Sequence, residues 1–65
     1  MLLDIHLKTG KVVQVSDFKE IRVPYLEQIV TDVSTFMLNG KLTYVFVGKS
    51  QVIVQGDEIQ YLEIT

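Results

Sequence analysis

Gly48, Lys49 and Ser50 are the residues in this chain most suggestive of chemistry, because Gly-Lys-Ser closes the loop with which many proteins hold nucleotide phosphates. Such a loop also needs a glycine five residues before Gly48, so that backbone N–H groups can curl around the phosphates, and a helix that starts directly after the Ser. Thr43 occupies the glycine position, and Gln51-Val52-Ile53-Val54 follows, a β-branched run that reads as strand. The string therefore predicts a hairpin tip with Lys49 in water and no bound nucleotide.

His6 is the only histidine. On a strand it shares a face with Asp4 and Lys8, and across a hairpin with Val12 and Gln14. An Asp4–His6 pair has the form of a base and its orienting carboxylate, but the chain has no Cys, and no Ser is marked out as its nucleophile. The pattern predicts a surface ion pair between neighbours two apart on a strand. One His with scattered carboxylates predicts no metal site. Glu20, Glu27, Asp32, Asp57, Glu58 and Glu63 would make a glycosidase-like pair only across a substrate cleft, which a chain of 65 residues has little material to frame. No catalytic residue, cofactor or metal is expected, and the chain reads as a non-enzyme.

The elements that carry these residues follow from length and spacing. Sixty-five residues make one small domain, 1–65, and a domain of that size buries only about 60% of its unfolded surface. Without Cys there is neither a disulfide nor a thiolate metal site to staple it, which leaves self-association as the common remedy. Six Lys and Arg against eight Asp and Glu give no basic footprint for nucleic acid. No apolar run reaches the ~20 residues of a membrane span, and Asp4 interrupts the only N-terminal apolar stretch, so a cytoplasmic protein with no membrane partner is expected.

Gly10, Gly40, Gly48 and Gly56 fall at intervals that suit turns between short strands, an all-β pattern. In the first pair, a three-residue loop Lys8-Thr9-Gly10 sets Leu3 opposite Val15 and Ile5 opposite Val13. Gly10 then takes the left-handed position of a bulged turn. Phe18 and Ile21 anchor an edge strand or irregular crossing. Leu26, Ile29, Val30, Val33 and Met37 have helical spacing behind Pro24, whereas their β-branched neighbours and Asn39-Gly40 favour a hairpin that sets Met37 opposite Leu42 and Val33 opposite Phe46. The two signals combine into a short helix near 24–32 and a strand from about Ser34.

Two further turns, at 48–51 and at Gly56-Asp57, would set Val47 opposite Val52, Val45 opposite Val54 and Val54 opposite Ile59. The fold class is then mainly β: a small antiparallel barrel or curled meander of five to six strands, with an α+β order ββαβββ as the alternative. That register puts Val45, Val47, Val52, Val54, Ile59 and Tyr61 on one face and Tyr44, Phe46, Ile53, Leu62 and Ile64 on the other. An antiparallel sheet with one wet face alternates apolar with polar residues, so both faces need cover. Tyr44, Phe46, Ile53, Tyr61, Leu62 and Ile64 are the candidate interface of a homo-oligomer, most simply a dimer.

The first hairpin's Thr9-Gly10-Lys11, the later Phe36-Met37-Leu38-Asn39-Gly40-Lys41 and Tyr44-Val45-Phe46-Val47-Gly48, and the closing Gly56-Asp57-Glu58-Ile59-Gln60-Tyr61-Leu62-Glu63-Ile64 together resemble small uncharacterised β-rich proteins of Gram-positive phages and prophages. The resemblance implies an accessory role in which the protein binds or modulates a host protein, and supplies no catalytic residue. Leu38-Asn39-Gly40-Lys41-Leu42 is also similar to Sm-like RNA-binding barrels. That similarity implies the alternative of a single-stranded nucleic-acid binder, for which Phe18, Tyr25, Phe36, Tyr44, Phe46 and Tyr61 would be the stacking platform. A purely structural oligomer is the third reading.

Overall fold

The computed structural model describes residues 1–65, the side chain of Thr35 apart. Seven strands are formed among the described residues: β1 (Leu3–Leu7), β2 (Val12–Val15), β3 (Glu20–Val23), β4 (Gln28–Val30), β5 (Thr43–Val47), β6 (Gln51–Gln55) and β7 (Ile59–Ile64). They make two antiparallel sheets, a first of order β2-β1-β7 and a second of order β4-β3-β5-β6. No barrel closes and no α-helix forms among the described residues, so both the closed-barrel expectation and the ββαβββ alternative are overturned.

The β1–β2 hairpin has the expected register, Leu3 opposite Val15 and Ile5 opposite Val13. Gly10 sits at φ 95°, and the loop is closed by Leu7 N–H donating to Lys11 C=O at 2.8 Å and Gly10 N–H donating to Leu7 C=O at 2.9 Å. Where β1 meets β7 the chain ends come together: Leu2 N–H donates to Thr65 C=O at 3.2 Å, and Thr65 N–H to Leu2 C=O at 3.0 Å.

Leu3, Ile5, Val15 and Ile59 of the first sheet meet Ile21, Val23, Tyr44, Phe46 and Val54 of the second in one core, with Phe18 from the connecting corner. Phe18 and Ile21 thus lie where the sequence puts them, but β3 is an interior strand between β4 and β5, not an edge.

The segment 24–42 departs most from expectation. Only a single 3-10 turn, Pro24–Leu26, follows the proline; Glu27 adopts a left-handed conformation at φ 50° and the chain turns back as β4 along β3. β-branched Ile29 and Val30 therefore decide the backbone over the helical spacing. A second 3-10 turn, Val33–Thr35, is started by Asp32, whose carboxylate accepts from Ser34 N–H at 3.0 Å. The strand expected from Ser34 does not form, and Asn39-Gly40 makes no hairpin. Asn39 instead folds a local turn, its Oδ1 accepting from Lys41 N–H at 2.9 Å and its C=O from Leu42 N–H at 3.1 Å.

The β5–β6 register is one residue from that expected: Val47 faces Gln51, Phe46 faces Val52 and Tyr44 faces Val54. The loop is Gly48–Ser50, and because side chains alternate, this single step exchanges the two faces of the hairpin. Tyr44, Phe46, Val52 and Val54 turn to the core, and Val45, Val47 and Ile53 turn outward. β6 does not continue into a meander. A 3-10 turn, Gly56–Glu58, carries the chain to the other sheet, where β7 pairs with β1.

Candidate functional site

Two surface features gather side chains that a folded core does not need. The first lies where the chain leaves β3, folds back as β4 and returns to β5. Five large apolar side chains are exposed there: Tyr25 at 82%, Met37 at 85%, Ile29 at 59%, Leu26 at 53% and Leu38 at 37%. Leu26, Ile29, Met37 and Leu38 line an open cleft of about 790 Å3 whose apolar wall includes Phe36 and Tyr44. Leu26, Asn39 and Leu42 also border a neighbouring cleft of about 600 Å3 that takes in Pro24 and Tyr25, so the apolar surface is continuous across both.

Local chemistry sets this surface. Pro24 and the left-handed Glu27 force a tight reversal, which leaves Tyr25 and Leu26 at its tip with nothing of their own chain to cover them. The opposite wall is held by Tyr44, whose buried hydroxyl accepts from Asn39 N–H at 2.7 Å and whose ring meets Phe36 edge-on at 5.3 Å between centroids. Asp32, at the cleft, has its carboxyl held below the ordinary aspartate range by the Ser34 hydroxyl and then by the Ser34 N–H. β4 borders the same cleft and forms one edge of its sheet.

The second feature lies on the outer face of the first sheet. Asp4 stands directly opposite Glu63, and His6 directly opposite Tyr61. A bulge makes this possible: the pairing steps from His6–Tyr61 to Leu7–Ile59, leaving Gln60 as an extra residue. Ile59 can thus enter the core while Tyr61 and Glu63 point outward and Leu62 and Ile64 turn inward, an alternation that an unbulged strand could not give. His6 Nε2 lies 3.2 Å from Glu63 Oε1, and the imidazole stacks on the Tyr61 ring with centroids 4.0 Å apart and planes 12° apart. The sequence-based Asp4–His6 pair is corrected here: the partner of His6 is Glu63. Asp4 Oδ1 is buried and finds no hydrogen-bond donor among the described residues.

The residues expected to form an interface are scattered by these registers. Tyr44 and Phe46 are in the core, and Leu62 and Ile64 are half-buried against it. Only Ile53, at 70%, and Tyr61, at 48%, are exposed, and they belong to different sheets. Of the six aromatic residues that the alternative of a nucleic-acid binder would use for stacking, Phe18, Tyr44 and Phe46 are buried, Phe36 is half-buried, and only Tyr25 and Tyr61 are exposed. The Gly48–Ser50 loop leads into a strand and not a helix. Its backbone docks on the β2–β3 corner through Lys49 N–H donating to Ser16 C=O at 2.8 Å, with the Lys49 side chain exposed.

Leu26, Ile29 and Met37 were visible in the sequence as an apolar series, but their spacing pointed to a buried helix face. Glu63 carried no signal that could bring it to His6, since that meeting depends on pairing between distant strands and on the bulge at Gln60. No helix among the described residues is long and apolar enough to cross a membrane. Comparisons with protein-family models, with curated proteins and with solved structures yield no match.

Proposed function

We propose that the chain is a non-enzymatic interaction module that self-associates through the apolar surface formed by Tyr25, Leu26, Ile29, Met37 and Leu38. The observation that carries this is the clustering of these five exposed side chains around two adjoining clefts that share Leu26. Isolated exposed apolar residues are ordinary, but a contiguous group marks an interaction surface. A second copy is the occupant that the geometry favours, because the edge of β4 borders the same surface. Two β4 strands set antiparallel about a two-fold axis at Ile29 would bring both patches together in an isologous contact. A standard interface takes about 800 Å2 from each partner, close to a fifth of this chain's 4414 Å2 surface. His6 sits between Glu63 and Tyr61 and not beside a hydroxyl nucleophile, which supports a binding role over hydrolysis.

Light scattering during size exclusion at low micromolar concentration tests the proposal. The expected mass is a multiple of 7.4 kDa, returned to 7.4 kDa by Ile29→Lys or Met37→Lys without loss of folded structure. A 7.4 kDa particle with concentration-independent melting would overturn self-association. In that event a host protein, the partner suggested by the phage resemblance, becomes the occupant to seek at the same surface.

A further inference from the structure

We propose that Asp4, His6 and Glu63 form a binding site for a divalent cation of the zinc type on the outer face of the first sheet. One ligand atom from each of the three side chains lies within 4.8 Å of the other two, and two strands of one sheet hold them. The site is distinct in residues and strands from the surface proposed for self-association, and it does not depend on that reading.

The donor set selects the ion. One imidazole nitrogen with two carboxylates suits Zn2+, Co2+ or Ni2+, whereas Ca2+ and Mg2+ favour all-oxygen cages and Cu(I) favours sulfur. The 3.2 Å between His6 Nε2 and Glu63 Oε1 matches one edge of a tetrahedral shell, about 3.4 Å for bonds near 2.1 Å. Asp4 supplies the third ligand, with an oxygen within 4.8 Å of the other two ligand atoms. Three protein ligands leave a fourth position for water or for a group from a bound molecule.

Asp4 Oδ1 supplies the independent reason to place a cation here. A buried carboxylate oxygen is ordinarily met by donors, because its desolvation is otherwise uncompensated, yet none reaches this atom among the described residues. A cation bound between Asp4 and Glu63 would satisfy it and offset the repulsion of two carboxylates placed directly opposite each other across the strands. Tyr61 adds order. Its ring, parallel to the imidazole, keeps His6 in the plane that aims Nε2 toward Glu63. The bulge at Gln60 is the backbone device that presents Tyr61 and Glu63 to this face, in line with the tendency of bulges to re-aim side chains at sites.

Calorimetric titration of the full chain with zinc chloride, with cobalt chloride as a spectroscopic probe, tests the site. One ion per chain is expected, with visible Co2+ absorption showing nitrogen and oxygen ligation and a rise in melting temperature that EDTA reverses. His6→Gln and Glu63→Gln should each weaken binding at least about tenfold, whereas Asp57→Asn, in an exposed turn, should leave it unchanged. Circular dichroism confirms that the variants fold, and Asp4→Asn, which keeps the side-chain shape, serves as a second variant. Absence of saturable binding by the wild-type chain would overturn the proposal, as would binding indifferent to both His6→Gln and Glu63→Gln.

Discussion

Replacing Gly56 with Ala should be among the most damaging single-methyl changes in this protein. Gly56 is buried, and a Cβ there would lie 2.2 Å from Asn39 O and 3.0 Å from the Tyr44 ring. Ordinary contact needs roughly 1 Å more than the first of these distances, and the obstacle is backbone, which cannot swing aside as a side-chain tip can. Displacing Asn39 strains two contacts, Gly56 N–H to Leu42 C=O and Asn39 N–H to Tyr44 Oη, both 2.7 Å. Overpacking of about 1–3 kcal/mol and the partial weakening of these two hydrogen bonds, about 1 kcal/mol together, give a loss of about 2–4 kcal/mol. A chain of this length has on the order of 3–10 kcal/mol to lose. At about 7 °C per kcal/mol for a domain this small, the melting temperature should fall by about 15–30 °C.

Gly48→Ala belongs to the same class, with its Cβ 2.5 Å from the backbone oxygen of Ser16. Gly10→Ala meets open space and is penalised only for φ 95°, about 1 kcal/mol or 7 °C. Gly40 has no left-handed φ, contrary to the reading of Asn39-Gly40 as a hairpin turn, and its Cβ would make ordinary contacts at 3.5 Å. Gly40→Ala should therefore be neutral to within about 0.5 kcal/mol. Calorimetric melting of the four variants gives the order directly, and a Gly40→Ala loss equal to that of Gly56→Ala would refute the reasoning.

Tyr44→Phe should cost about 1–2 kcal/mol in urea unfolding by leaving Asn39 N–H without its acceptor, and a neutral result would mean that water replaces the hydroxyl. Ser34→Ala should bring the Asp32 carboxyl back up toward its ordinary value, read from its side-chain carbon shift in an NMR titration. Because a lowered carboxyl pKa stabilises the fold above the ordinary value and that contribution fades as pH falls through the lowered one, the wild-type advantage over Ser34→Ala should shrink on acidification below the aspartate range. Titration with ATP and magnesium should give no saturable heat in wild-type or Lys49→Ala protein, and binding lost only in the variant would reinstate a phosphate loop.

The first hairpin was readable because only one loop length lets Leu3, Ile5, Val13 and Val15 share a face while giving a glycine the left-handed position. The second was not. Tyr44-Val45-Phe46-Val47 and Val52-Ile53-Val54 are apolar at consecutive positions, so a register one residue away leaves the pattern almost unchanged and only packing distinguishes the faces. Leu26, Ile29 and Met37 kept helical spacing without a helix, since their apolar character serves an exposed surface and not a buried stripe. The His6–Glu63 meeting was invisible for a different reason: it depends on β7 leaving its sequence neighbour β6 for β1, and no local pattern encodes that choice.

The pairing of β1 with β7 also sets a timetable. β1 is the middle strand of its sheet, so Leu3 and Ile5 are made early but cannot be enclosed until residues 59–64 have been synthesised. Pairing across so long a stretch of chain is slow compared with hairpin closure, because the loop entropy must be met before any contact compensates for it. During synthesis the β1–β2 hairpin would therefore stand with one open edge while the second sheet completes itself beside it. In refolding followed by pulsed hydrogen exchange, amides shared by β1 and β7 should gain protection after those of β5 and β6, and simultaneous protection of both sets would show that the two sheets form as a single unit.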